Sequence, residues 1–292
     1  MTTIMQCPVC KSPLLKSAVE YQCSNRHTFD IARQGYVNLM LSHKKHSKEP
    51  GDSAEMIHSR LRFLEQGFYD RVSEGINRVV AEILNSYDGM PHITILDAGC
   101  GEGYYLRQLR EYLARDTTLP PPDLYGIDIS KYAASRAAQR EKRVTWGVAN
   151  IADLPFIPAS LNIILNIFAL SDFAEFSRTL TDGGKIITVT PGPRHLNGLR
   201  EIIYPVAREH AESGINERAG GLFNLSSSTR INYNITLDSR EVIKDLLSMT
   251  PYYWNIDLTT KSRVESIDRL TLDVDVVISV FEKKKGKMTG KN

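Results

Sequence analysis

The chain has 292 residues, enough for one large domain or for a medium domain joined to a small one. Apolar residues make up 42% and charged residues 24%, the balance of a globular protein in water; no apolar run approaches the ~20 residues of a membrane span, so no membrane partner is expected. The net charge of +2 is unevenly spread: residues 1–50 hold seven Lys/Arg against three acids, residues 282–292 hold five lysines against one, and the middle is net acidic. Positive ends suit a polyanion, although solvated ends look the same. Met1–Gln6 lacks the charged-then-apolar layout of a secretory signal, so a cytoplasmic location is expected.

Three of the four cysteines open the chain as Cys7-Pro-Val-Cys10 and Cys23-Ser-Asn-Arg-His27. Two close pairs offer thiolate and imidazole ligands that suit tetrahedral zinc, and so short a segment needs a metal to stay folded. His27 is read as the fourth ligand, the alternative being a surface histidine with another group in its place. The spacing lacks the second histidine of a DNA-reading C2H2 finger. Phe29, Ile31, Tyr36, Val37 and Leu39 are expected to pack on the metal site as a small sheet or turn. The run His43-Lys-Lys-His-Ser-Lys48 before Pro50-Gly51 reads as a basic linker able to touch phosphates.

From Asp52 the spacing predicts a helix through Met56, Leu61, Phe63 and Leu64, broken near Gly67 and resumed at Tyr69. Ile93, Ile95 and Leu96 form a short apolar run closed by Asp97, as in a buried parallel strand. Gly99, Gly101 and Gly103 follow at alternate positions before a helical pattern of Leu106, Leu109 and Leu113. A strand turning tightly into a helix needs glycine, and the helix then presents free N–H groups to a ligand.

The pattern continues with a strand at Leu124–Asp128, a helix at Tyr132–Arg140, a strand at Val144–Val148 and a loop at Asn150–Asp153. A strand at Leu161–Phe168, a helix from Asp172 to Leu180 stopped by Asp182-Gly-Gly184, and a strand at Lys185–Thr190 complete a doubly wound parallel sheet. Pro191–Arg194 then turns, which puts His195 at the carboxyl edge where open α/β sheets bind ligands. Farther on, Glu201–His210 reads as a helix and Gly214–Ser228 as a loop or lid. Arg230–Leu237 reads as a strand, Asp238–Met249 as a helix capped by its Asp, and Leu270–Phe281 as a late antiparallel strand.

The spacing Asp97-x-Gly-x-Gly-x-Gly103 resembles the first motif of class I S-adenosylmethionine (SAM) dependent methyltransferases. That resemblance implies a Rossmann-like fold, with Asp97, Gly99, Gly101 and Gly103 against the methionine part of SAM. It implies Asp128 at the ribose hydroxyls and Asp153 beside the adenine. Adding Phe29-Asp30…Gly35-Tyr-Val-Asn-Leu39, Pro50-Gly-Asp-Ser-Ala-Glu-Met56, Arg62-Phe-Leu64…Gly67-x-Tyr69 and Thr190-Pro-Gly-Pro-Arg-His-Leu196 to the cysteine pattern, the chain resembles bacterial 23S ribosomal RNA guanine-N1 methyltransferases of the RlmA type.

The resemblance implies a zinc-ribbon-like RNA-recognition module in residues 1–42, with Cys7, Cys10, Cys23 and His27 as ligands. A basic linker and helices over the cofactor would fill 43–85, the SAM domain 86–285 and a flexible tail 286–292. Tyr69, Gly101, Glu102 and His195 would contact SAM. The implied reaction is methylation of N1 of one guanine in a hairpin loop of 23S rRNA, in the helix 35 region at position 745 or 748, by a protein of a family that often forms dimers. N1 must lose a proton, for which Asp172 and His195 are the candidate acceptors; aromatics such as Tyr36 are expected to stack on splayed bases. Where the family commonly has Ala-Pro, this chain reads Ala169-Leu170, which puts the base-binding geometry in question. A SAM enzyme for another RNA or a small molecule, or a non-catalytic RNA-binding protein of this fold, are the alternatives.

Overall fold

The computed structural model describes residues 2–41, 50–87, 90, 92–115, 121–204 and 214–285. The basic run 43–48, most of the expected helix 201–210 and the tail 286–292 therefore lie outside the described residues. Among those described, no helix is long and apolar enough to cross a membrane.

Four short strands, β1 (Thr2–Gln6), β2 (Pro13–Lys16), β3 (Glu20–Cys23) and β4 (Thr28–Asp30), form an antiparallel sheet in chain order. A fifth, β5 (Tyr36–Asn38), leaves it and joins a larger sheet. The larger sheet also holds β6 (Thr94–Ala98), β7 (Asp123–Asp128), β8 (Thr145–Val148), β9 (Leu161–Ile167), β10 (Leu180–Pro191), β11 (Phe223–Leu237) and β12 (Leu270–Lys283). Its order is β11-β12-β10-β9-β6-β7-β8-β5, with β12 antiparallel to both neighbours and the rest parallel.

Helices α1 (Ala54–Leu64) and α2 (Asp70–Asn85) precede the first central strand, with Gly67 at φ +81° in the break between them. Then come α3 (Tyr104–Leu113), α4 (Lys131–Arg140), α5 (Phe173–Thr179), α6 (Asn197–Ile203), α7 (Ile215–Ala219), α8 (Arg240–Ser248), α9 (Tyr252–Asn255) and α10 (Leu258–Glu265).

Both faces of the central strands are buried, which explains their unbroken apolar runs. Ile95, Ile163 and Leu165 face a core shared with α2, α3, α4 and α8. Leu96, Ala98 and Ile164 face the other core, where Phe173 and Phe176 of α5 meet Met5, Leu14 and Tyr21 of the amino-terminal module. The module thus covers part of the sheet, as a helix would in a doubly wound fold. Gln6 N–H donates to Pro155 O (2.9 Å) and Ile157 N–H to Ile4 O (2.9 Å), which fastens β1 to the chain beyond β8.

Several expectations are corrected. Val37 and Leu39 share a buried cluster with Cys7 and Cys23, with Phe29 and Ile31 packed against it, but they form no separate small sheet: β5 pairs with β8, and Tyr36, opposite Trp146, belongs to the other core. Tyr36 is buried there, so its ring is closed to an RNA base. Asp182-Gly-Gly184 does not stop α5, which ends at Thr179; the glycines lie in an irregular start of β10. The 214–228 stretch is α7 followed by the first half of β11, where exposed Ser and Thr side chains hide a strand set by its register with β12. Ser239, not Asp238, caps α8, its side chain accepting from Val242 N–H.

Candidate functional site

The metal cluster is built by two knuckle turns. Lys11 N–H donates to Cys7 O (2.8 Å) and Arg26 N–H to Cys23 O (2.9 Å), each donor residue at a left-handed φ near +60°. These turns bring Cys7, Cys10, Cys23 and His27 together, all ligand atoms lying within 4.8 Å of one another. A zinc tetrahedron with Zn–S of about 2.3 Å and Zn–N of about 2.05 Å has edges of about 3.8 Å for S···S and about 3.5 Å for S···N. The observed edges are 3.6 Å for Cys10 Sγ to Cys23 Sγ, 3.5 Å for Cys7 Sγ to His27 Nδ1 and 3.4 Å for Cys23 Sγ to His27 Nδ1. A disulfide needs about 2.05 Å, and all four cysteines of the chain are free. Hydrogen bonds from Ser12 pull the Cys10 thiol down to about 5, whereas burial pushes Cys7 up to about 11. The donor set and its edges fit zinc, which takes its cysteine ligands as thiolates.

The second site is the bend after β6. Gly99, Gly101 and Gly103 have φ of +89°, +54° and +82°. At Gly99 a side chain is excluded twice over, since a Cβ would lie 2.6 Å from that of Ala169. Three acids line the bend. Asp97 is buried, its Oδ1 has no hydrogen-bond partner among the described residues, and burial pushes its carboxyl up to about 8. Glu102 is buried with Oε2 likewise unpartnered, and burial raises it too. Asp128, at the end of β7, accepts from Gly101 N–H (2.9 Å) and Ser130 N–H (2.7 Å); burial still raises it. Buried carboxylates with unused oxygens are costly unless a cation meets them. SAM carries a sulfonium and an ammonium group, so the residues present fit that cofactor.

Tyr69 and His195 meet across 126 residues of chain, Tyr69 Oη lying 3.3 Å from Nε2. Asp275 N–H donates to His195 Nδ1 (3.2 Å). A ring that accepts at Nδ1 carries its proton at Nε2, which then donates to Tyr69. Both side chains are buried, and Phe168 completes the group, its ring 5.7 Å from that of His195 at 19°. Asp172 accepts from Glu175 N–H (2.9 Å) as the cap of α5. Asp153 stands in the 3-10 turn Ile151–Asp153, paired with Lys11 Nζ at 2.6 Å, which ties the adenine-loop candidate to the metal knuckle.

Three residues at the bend escape the sequence reading. Arg60 on α1 lies over Gly101, its Nη1 3.2 Å from where a Cβ would be. Phe168 holds φ +51° with its side chain 40% exposed, a conformation costly for a bulky residue and one that gathers at functional sites. Asn166 donates to Ala98 O (3.1 Å) and to Leu170 O (2.9 Å), and so fixes the loop after β9 against β6. Its signal is legible as an amide inside an apolar strand. Leu170, in the place of the family's proline, turns its side chain outward at 85% exposure.

Residues 5–48 match the family described as "RlmA, N-terminal", and residues 96–188 match "Methyltransferase domain". The chain is 30% identical over 281 residues to the 23S rRNA (guanine(748)-N(1))-methyltransferase of Streptomyces fradiae, covering 94% of this chain and 95% of that one. It is 32% identical over 288 residues to YxjB of Bacillus subtilis, provisionally named a 23S rRNA (guanine-N(1)-)-methyltransferase, with coverage of 95% and 97%. Among solved structures, the YcgJ protein of Bacillus subtilis is a looser likeness: TM-score 0.45, 16% identity, 70% of this chain and 98% of that one. A SAM-dependent methyltransferase domain carrying a zinc-ribbon head, alike over nearly its whole length to these relatives, belongs to the 23S ribosomal RNA (guanine-N1)-methyltransferase family of the RlmA type.

Proposed function

We propose that this chain transfers the methyl group of SAM to N1 of a guanine in a hairpin loop of 23S rRNA, in the cytoplasm, where ribosomes are made. The Streptomyces fradiae relative is named for guanine 748, and that guanine is the target of this reading. The observation that carries it is the junction of the two sites: the metal knuckle and the cofactor loop are joined through Lys11 and Asp153 and through the pairing of β1 with residues 155–157. SAM supplies the electrophilic methyl when bound. Tyr69, Asp97, Gly99, Gly101, Glu102, Gly103, Asp128, Asp153 and His195 hold and orient it in this reading. An unpaired loop guanine leaves its stack for a few kcal/mol at most. Phe168, exposed where Tyr36 is buried, offers it an aromatic face.

His195 has both nitrogens engaged, so it orients Tyr69 and leaves Asp172 as the acceptor of the N1 proton. Asp172→Asn keeps a good helix cap. It should lower turnover by about 100-fold or more; unchanged turnover would remove Asp172 from the role. The edge of β11, paired among the described residues with β12 alone, supports association of two copies as part of the same reading.

A methyl on N1 blocks Watson–Crick pairing, so reverse transcriptase stops there. Purified protein, SAM and unmodified 23S rRNA should give one new stop at a hairpin-loop guanine. Absence of any stop, with radiolabelled methyl also absent from the RNA, would refute the proposal.

A further inference from the structure

We infer that the Arg60 guanidinium is the anchor for the methionine carboxylate of SAM, an inference that rests on the bend between β6 and α3 being the SAM site. Neither end of the bend supplies the cation that this carboxylate needs. Asp97, Glu102 and Asp128 are all acidic: Asp128 is read as the partner of the ribose hydroxyls, Asp97 and Glu102 answer the cationic groups of the cofactor, and all three repel its one anionic group. Arg60 reaches the bend from α1, on the far side of the break at Gly67.

The geometry is specific. Arg60 Nη2 is held by Asp52 Oδ2 at 2.5 Å. Asp52 is itself fixed to the opposite lip, its carbonyl accepting from Ser130 Oγ at 2.7 Å, two residues after Asp128. With one arm of the fork so held, Nη1 lies across the backbone of Gly101, 3.2 Å from the position of a Cβ. Any side chain at residue 101 would push into the guanidinium. Burial works against the charge of Arg60, yet Glu102 and Asp52 outweigh it and hold its pKa above the ordinary value. The cation is therefore permanent, and a planar guanidinium matches a carboxylate in a way that a lysine does not. Arg140, the other guanidinium whose charge reaches Glu102, pairs with Glu65.

A bland role is open to the same residue: it could serve only to neutralise Glu102 and Asp128 and to pin α1. Two ligands separate the roles. S-adenosylhomocysteine carries the amino-acid carboxylate, whereas 5′-methylthioadenosine keeps the adenine, ribose and thioether but lacks the amino-acid end. By calorimetry on the full chain, Arg60→Ala should weaken S-adenosylhomocysteine by on the order of 10- to 100-fold, the range of a charge-assisted hydrogen bond. It should leave methylthioadenosine within about twofold. Equal weakening of both ligands, or of neither, overturns the inference. Arg60→Gln, which keeps the stem without the charge, repeats the comparison if Arg60→Ala lowers the melting temperature. If the unmutated chain binds neither ligand, the SAM reading of the bend fails first and the anchor with it.

Discussion

Asp97 is the residue whose chemistry is most exposed to test. In the folded chain burial, then Asp128 and Glu102, hold it near 8, against an ordinary value of 3.8. A carboxyl raised on folding contributes stability that is fully present below about pH 4 and is lost as the pH climbs through about 8. The ligand-free protein should therefore melt at progressively lower temperature from pH 5 to pH 8 relative to Asp97→Asn, whose amide does not titrate. Parallel melting curves would show that Asp97 is ionised after all. SAM is cationic at the bend, so it favours the carboxylate, and its affinity should rise over the same interval with release of a proton. Calorimetry in two buffers of different ionisation heat reads that proton directly. At Gly99 the expectation is steric. Gly99→Ala meets both φ +89° and a contact of 2.6 Å, and should cost about 2–3 kcal/mol in urea unfolding while abolishing S-adenosylhomocysteine binding.

Among the elements, α1 matters most to the site because it carries Arg60. Three devices hold it. Ser53 caps its first turn by accepting from Met56 N–H, Arg60 pairs with Asp52, and Arg62 makes its two-bond pair with Asp245 on α8. Asp245 is buried but Arg62 is half-exposed, so solvent screens much of that pair. Asp245→Ala should cost about 1–2 kcal/mol by denaturant titration, and should weaken S-adenosylhomocysteine more than methylthioadenosine, since α1 acts on the bend through Arg60. Equal weakening of the two ligands would contradict that role. The helices α1 and α2, the break at Gly67 and the strands β6 to β10 are legible in the sequence because each has its own periodicity and its own cap or glycine. The first half of β11 is not, because Asn224–Thr229 are exposed on both faces and only pairing with β12 makes them a strand.

At the scale of the molecule, the metal head and the sheet are one structure. β5 is one edge strand of the large sheet, β1 pairs with the chain after β8, and Lys11, next to Cys10 of the metal cluster, holds Asp153. A head that served only RNA would let the cofactor site survive loss of metal. This connection predicts otherwise: stripping zinc with a strong chelator should lower the melting temperature and weaken S-adenosylhomocysteine in the absence of any RNA, and added zinc should restore both. Unchanged cofactor affinity in the metal-free protein would show that the two sites are independent. Lys11→Ala should have a small effect by itself, because the ion pair is partly exposed.

The amino-acid sequence by itself determined what is encoded at short range: the two ligand pairs and their knuckles, the strand-glycine-helix bend with its acid one strand later, and the alternation that makes a doubly wound sheet. In each, the residues that must meet are within a few positions, or within one β-α unit, of one another. Tertiary structure alone decided that β5 leaves the metal module, that Tyr36 is buried and Phe168 exposed, that His195 is tied at both nitrogens, and that Arg60 lies across the bend. Those outcomes depend on contacts between segments such as Tyr69 and His195, 126 residues apart, and no local periodicity carries that information.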